Sequence, residues 1–478
     1  MPWVNVIANP NFGTVISESG QAYTWLENAH EFRLTPWNND PVSDCGGEAF
    51  YIRDEESGHF WSPMPSQGRG KNPYIIRHGF GYSVFEYSED SIDSEVKVYV
   101  DMEASVKFIV LKIKNRSDRI RRLSITGYME WVLGDLRAKS VMHLVTDIDS
   151  DTGAVFANNP YHAEFSNCVA FFDTDDISRN FTTDRAEFIG RNRMLASPDA
   201  MNRTKLSGKV GAGLDACAAI QVSINVAGKQ EHEIIFRVGA AKDNVEAANL
   251  VRKFRGSAAA YDALQKVYSY WNKVLGTVQV ETPDRALNFI TNGWLNYQAL
   301  ACRLWARSGY YQSGGAFGFR DQLQDVLSLV HAQPELVRSQ ILLHASRQFK
   351  EGDVQHWWHP PLGRGVRTRC SDDYLWLPFV TSRYISHTGD NSILDEQVSF
   401  LDGRLLNADE ESYYDLPLIS GFTDTLYNHC VRAIDHGLRF GGHGLPLMGS
   451  GDWNDGMDKV GIHGKGESVW LAFFCTMC

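Results

Sequence analysis

No apolar run in the 478 residues approaches the roughly 18 consecutive residues that a membrane-spanning helix needs. The opening Met-Pro-Trp-Val-Asn-Val has neither the basic nor the apolar region of a secretory leader. Cysteine is scarce and scattered, at 45, 168, 217, 302, 370, 430, 475 and 478, and only Cys475 and Cys478 stand close together. That pair has no second half, so a zinc site built on it lacks two ligands. The expectation is a set of reduced thiols in a cytoplasmic protein without a metal. Positive charge is also short: 46 Lys+Arg against 58 Asp+Glu leave a net charge of −12. Nucleic acid is therefore not expected as a partner, because phosphate binding needs concentrated Lys and Arg. There is no GxSxG elbow, no P-loop lysine motif, no internal repeat and no low-complexity segment.

What is plentiful is aromatic. Phe, Trp and Tyr make up 12% of the chain, with 13 Trp. Indole rings stack on flat apolar sugar faces, so this composition leans toward carbohydrate, although tryptophan is often plain core. The length allows roughly two to four domains.

The first half reads as strands. Val96, Val98 and Val100 alternate with polar residues, and Ile220, Val222, Ile224 and Val226 repeat that period of two. Phe108-Ile-Val-Leu-Lys-Ile113 and Leu123-Ser-Ile-Thr-Gly-Tyr-Met-Glu-Trp131 are rich in β-branched and aromatic residues. A large antiparallel sandwich over residues 1–240 follows. The period then changes. Residues 241–282 read as a helical linker, with Leu264, Val267 and Trp271 on one face. Thr282-Pro283-Asp284 reads as a helix start with Thr282 as N-cap, ahead of a stripe of Leu287, Ile290, Trp294 and Tyr297. Helices are predicted near 323–331, 335–349, 372–387, 391–402 and 422–438, and long loops at 308–320, 352–370 and 441–466. Helices joined by long loops suggest an (α/α)6 barrel over 283–478 with a site at one end. Roughly six or seven helices are countable where twelve would close it, so the barrel is expected to be cut short at Cys478.

Three constellations carry chemistry. Gly449-Ser-Gly-Asp-Trp-Asn-Asp-Gly-Met-Asp458 packs three carboxylates, an amide and an indole into a glycine-flanked loop. A carboxyl set against Trp453 suits a general acid, while a calcium loop, though without the full EF-hand spacing, or an ordinary Asx-turn is the plainer alternative. Gly314-Gly-Ala-Phe-Gly-Phe-Arg-Asp-Gln-Leu-Gln-Asp325 runs a glycine-rich loop into Arg320-Asp321. Those two side chains can hold sugar hydroxyls or simply pair with each other. The stretch from Asp353 to Tyr374 holds His356 and His359, a Trp357-Trp358 pair that could form a sugar platform, and Arg364, Arg367 and Arg369. The arginines suit a phosphate or anionic substrate unless Asp372 and Asp373 neutralise them. The Pro-Pro after His359 argues against a helical metal pair.

With these loops, Asn9-Pro-Asn-Phe-Gly-Thr14, Leu34-Thr-Pro-Trp-Asn-Asn-Asp-Pro41 and Gly79-Phe-Gly-Tyr-Ser-Val84, nearly the whole chain resembles glycoside hydrolase family 94, the inverting glycoside phosphorylases. The likeness is to the phosphorylase-like domain of cyclic β-1,2-glucan synthases. It implies a β-sandwich, a helical linker and an (α/α)6 barrel. It implies Asp455 as general acid, and Arg320, Asp321, Trp453, Trp358, His359, Arg367 and Asp373 as substrate-binding residues. Cellobiose phosphorylases carry a further Arg where this chain has Gly315, so their contacts do not transfer whole. The implied reaction is phosphorolysis, or reverse synthesis, of β-1,2-glucosidic bonds, giving α-glucose 1-phosphate. The implied partners are a β-glucan oligosaccharide and inorganic phosphate, with no other cofactor and no metal. Phosphate ligands are expected beyond residue 478. A cytoplasmic location, on the inner face of a membrane synthase, and a homodimer through the N-terminal half complete the expectations. The alternatives are an inverting (α/α)6 hydrolase, which would need a second carboxylate to activate water, and a non-catalytic glucan-binding fragment.

Overall fold

A computed structural model describes residues 2–40, 42, 46–67 and 70–478. Cys45 and Pro41, the last residue of the Leu34 motif, lie outside them. The chain divides into two compact units: Met1–Asn272 with Trp305–Gly314, and Lys273–Leu304 with Gly315–Cys478. The order expected from sequence, antiparallel sheet first and helices second, is the order observed.

The first unit is built on a five-stranded and an eight-stranded sheet, with a three-stranded sheet formed by the first strands. Alternation explains the pairing. Ile92–Val100 buries Val96 and Val98, which lie opposite Leu111 and Ile109 of Val106–Asn115. Ala216–Val226 buries Ile220, Val222, Ile224 and Val226 and exposes Ser223 and Asn225. These faces share one core with Phe50, Phe172 and Phe236. One polar network is sealed inside it. Lys107 Nζ contacts Glu48, Thr14 Oγ1 at 3.1 Å and Thr24 Oγ1 at 3.2 Å, and Glu48 Oε1 accepts from Thr24 and Thr35 at 2.7 and 2.8 Å. Both charged side chains are buried.

The linker is two helices, Asn244–Phe254 and Ser257–Leu275. They part because Gly256 sits at φ +92° while Arg255 is extended and holds Asp173. Leu264, Val267 and Trp271 are buried as the stripe requires.

In the second unit the cap after the linker is Asp284, not Thr282. Asp284 accepts from the N–H of Ala286 and Leu287, while the Thr282 hydroxyl donates to Asn288 Oδ1. Of the expected stripe, Tyr297 is buried and Leu287 and Ile290 are exposed. Helices follow at Phe319–Val326, Pro334–Ala345, Trp376–Thr388, Leu426–Gly437 and Val469–Cys475. Two expected segments differ. Residues 391–402 form a short 3-10 turn and the strand Gln397–Asp402, because Val398 and Phe400 alternate inward with a period of two. The expected loop 352–370 is a hairpin of Gln355–His359 and Arg364–Thr368 inside a four-stranded sheet. Phe319, Leu323, Val337, Ile341, Leu377 and Val380 form the interior between the helices. Among the described residues no helix is long and apolar enough to cross a membrane. The described cysteines are free thiols.

Candidate active site

Phe319–Val326 turns its apolar residues Phe319, Leu323 and Val326 inward. Its first turn carries Arg320 and Asp321. Gly318 precedes it, and a Cβ there would lie 2.1 Å from Asp321 Oδ2, so only glycine lets that carboxylate fold back over the helix start. Arg320 is 8% exposed and is the hub of the site. Its Nη1 donates to Asp372 Oδ1 and Oδ2 at 3.3 and 3.4 Å and to the Asp452 carbonyl at 3.2 Å. Its Nη2 donates to both oxygens of Asp455 at 2.9 Å. One guanidinium thus ties together all three segments singled out in the sequence, using the planar fork that Lys lacks.

The acid loop is threaded past the Arg369–Ser371 backbone. Gly449 sits at φ +65°, and a Cβ there would lie 2.0 Å from the Arg369 carbonyl oxygen. Ser371 N donates to the Gly451 carbonyl at 2.9 Å, and Ser371 Oγ to the Met448 carbonyl at 2.7 Å. Asp452 is buried and accepts from Ser468 Oγ at 2.6 Å and Asn454 N at 3.0 Å, so it is a loop fastener. Asp455 begins a 3-10 turn with its carboxyl 64% exposed. Trp453 is also exposed, and its Nε1 donates to Gln324 Oε1 at 3.2 Å, bringing the indole back to the Arg320 helix.

The electrostatics centre on Asp372 and Asp373, both buried. Burial and the neighbouring Asp373 push Asp372 up to about 6, while Arg320 and a 3.0 Å bond from Trp376 Nε1 hold it down. Burial works against charge on His356, but Asp373, whose Oδ2 lies 2.6 Å from its Nδ1, outweighs burial and raises it to about 9. Burial also opposes charge on Arg320, and Asp372, Asp373 and Asp455 together reverse that and raise its pKa.

The structure therefore brings Arg320, Asp321, Asp373, Trp453 and Asp455 into one neighbourhood. It does not present Trp358 or Arg367 to a ligand, and His359 is half-buried. Trp358 is 1% exposed and packed against Phe317, His344 and the Arg347 guanidinium, so a sugar face has no access to its ring. Trp357 is half-buried beside His359 and Tyr414. Arg367 corrects the phosphate-cradle expectation. It is 1% exposed, lies 3.8 Å from the Phe349 ring centroid, and spends its donors on Asp353, Glu351 and the Gly403 and Arg404 carbonyls. Arg369 donates to the Asn407 carbonyl. Asp372 and Asp373 are taken by Arg320 and His356 and do not neutralise the arginines of 364–369. His356, Asp372 and Gln324 had only plainer readings in sequence or none. The doubled carboxylate at 372–373 was the available signal. A separate cavity of about 840 Å³ is lined by Arg369, Cys370, Tyr374, His436, Arg439 and Lys459 among others, and its walls do not include Arg320 or Asp455.

Two family descriptions match this chain: "Glycosyl hydrolase 94, supersandwich domain" over residues 1–257 and "Glycosyl hydrolase 94 superfamily, catalytic domain" over 270–478. Among similar proteins is the cyclic beta-(1,2)-glucan synthase NdvB of Rhizobium meliloti (strain 1021), 40% identical over 476 residues, which are 99% of this chain and 17% of that protein. An N,N'-diacetylchitobiose phosphorylase of Vibrio proteolyticus is 25% identical over 99% of this chain and 60% of its own length. A solabiose phosphorylase of Paenibacillus borealis is 27% identical over 89% of this chain and 53% of its own length. The chain thus spans less than two thirds of each of these relatives.

Proposed function

This chain belongs to glycosyl hydrolase family 94, and from that premise we propose that it serves the inverting phosphorolysis, or reverse synthesis, of β-1,2-glucosidic bonds in glucans. The β-1,2 linkage follows the synthase to which the chain is 40% identical. The observation that carries the reading is the grip of Arg320 on Asp455. In this arrangement Asp455 only accepts. A sugar whose hydroxyls take the Arg320 donors and Asp321 releases the Asp455 carboxyl to bind a proton and turn toward the glycosidic oxygen. Asp455 then donates that proton to the leaving oxygen as the C–O bond breaks, and phosphate forms the new bond from the opposite face. The product is α-glucose 1-phosphate. Phosphate is already a nucleophile at neutral pH, so no second carboxylate is needed to activate water, unlike in an inverting hydrolase. Trp453 supplies an exposed indole for the sugar face.

The test is product analysis with β-1,2-linked glucooligosaccharides, with and without inorganic phosphate. The expected result is glucose 1-phosphate formed only when phosphate is present. Glucose released without phosphate would establish the hydrolase instead. Saturable glucan binding with no turnover would establish the binding fragment.

A further inference from the structure

Beside the acid loop lies a set of side chains that the proposed proton transfer from Asp455 does not use. His356, Cys370 and Asp373 each place one ligand atom so that all three lie within 4.8 Å of one another. The sequence offered His356 only beside His359, before a Pro-Pro pair. The fold completes the set from elsewhere. His356 lies where the register of Gln355–His359 against Arg364–Thr368 shifts, between Gln355 and Trp357. A bulge of this kind re-aims a side chain. Cys370 follows the second strand and forms a bridge with Gly449. Asp373 opens the 3-10 turn Asp373–Leu375.

Two further observations point to a ligand. Asp373 is 1% exposed, and while its Oδ2 meets His356, its Oδ1 is buried without a hydrogen-bond partner. A carboxylate oxygen sealed from water ordinarily finds a donor or a cation. Cys370, whose buried thiol donates to Asp372 Oδ1 at 3.2 Å, is also one of the residues that line the cavity of about 840 Å³.

We propose that His356, Cys370 and Asp373 form a binding site for one zinc ion, with water as the fourth ligand. A thiolate, an imidazole and a carboxylate are the donors that borderline-soft zinc takes, whereas calcium and magnesium prefer an all-oxygen set. Tetrahedral zinc with bonds of about 2.0–2.3 Å holds its ligand atoms roughly 3.4–3.6 Å apart, a distance that small side-chain rotations reach from the spacing here. On binding, the Cys370 thiol and the His356 ring each give up a proton to solvent, and the metal takes the Asp373 oxygen that now lacks a partner. The proposal concerns metal binding and stands whether or not the glycan reading holds.

The test uses the whole chain, stripped with a chelator and titrated with Co2+ as a coloured substitute. One equivalent is expected to produce a thiolate-to-cobalt charge-transfer band that one equivalent of Zn2+ abolishes. C370S removes the band, and H356Q, a half-buried strand position, weakens zinc affinity at least tenfold. H356Q also provides the readout should C370S not fold. A C475S/C478S chain keeps the band. Absence of a saturable band, an unchanged band in C370S, unchanged affinity in H356Q, or loss of the band in C475S/C478S would each overturn the assignment.

Discussion

Replacing Arg320 with methionine should destabilise the helical unit in a way that grows with pH. Methionine keeps part of the apolar stem and removes the cation that faces the buried Asp372. With its pKa raised to about 6, Asp372 already costs the folded state roughly 3 kcal/mol at pH 7 relative to an ordinary aspartate. The sign follows from that direction: the cost is absent below pH of about 4 and accrues as pH rises toward the folded value. Without Arg320 the carboxyl can take up a proton instead, which caps its penalty at about 4 kcal/mol at pH 7, since each pH unit above the unfolded value is worth about 1.4 kcal/mol. The extra loss in the variant is therefore near zero at about pH 5 and grows to at most about 1 kcal/mol at pH 7 and at most about 3 kcal/mol at pH 8. The exposed Asp455 partner adds only a small offset, because pairing in water is worth about 1 kcal/mol or less. Urea unfolding of both proteins at the acidic and alkaline ends, followed by circular dichroism, reads the difference. A loss of equal size at both pH values would refute the idea that Arg320 exists to hold Asp372 charged.

Asp455→Asn in an active enzyme carrying this chain should lower phosphorolysis about 10²–10⁴-fold with substrate binding better preserved; turnover near the wild-type rate would remove Asp455 from the acid role. Asp452→Asn should act on stability more than on turnover, since Asp452 fastens the loop through Ser468, and thermal unfolding beside the rate assay separates the two. Lys107→Met should cost about 3–5 kcal/mol by leaving Glu48 unpaired inside the sandwich, whereas Glu48→Leu with Lys107→Met should recover most of it; a double-mutant cycle by urea unfolding checks both. Arg367→Gln should lower stability and leave the concentration dependence on phosphate unchanged, because its donors are spent on Asp353, Glu351 and carbonyls; a raised KM for phosphate with intact stability would restore it as a ligand.

Period-two alternation was enough to place strands such as Ile92–Val100 and Ala216–Val226, because one face of each meets a dry core and the other meets water. The segment 391–402 is expected as a helix, yet Val398 and Phe400 alternate with a period of two and form the strand Gln397–Asp402. The Thr282-Pro-Asp cap was misplaced by two residues because Asp284 caps more effectively once Thr282 is held by Asn288. The site was legible as segments and less so as partners. Arg320 and Asp455 lie 135 positions apart, and nothing local announces that they bond. Trp358 and Arg367 illustrate the reverse. Their residue types suggested ligand contacts, yet a hairpin invisible to helix and loop patterning turned both inward.

The crowding at Gly449 bears on how such a site can diversify. A Cβ at Gly461 would lie 1.9 Å from the Gly449 carbonyl oxygen, just as one at Gly449 would strike Arg369. Three backbones therefore run atom against atom, and the frame that aims Asp455 leaves no room for trial side chains. On the proposed reading, variation that retunes substrate preference has to enter where the chain is open, at exposed Trp453 and Gln324. Libraries that spare 449–452 and 461 and randomise those two positions would search specificity without first breaking the frame.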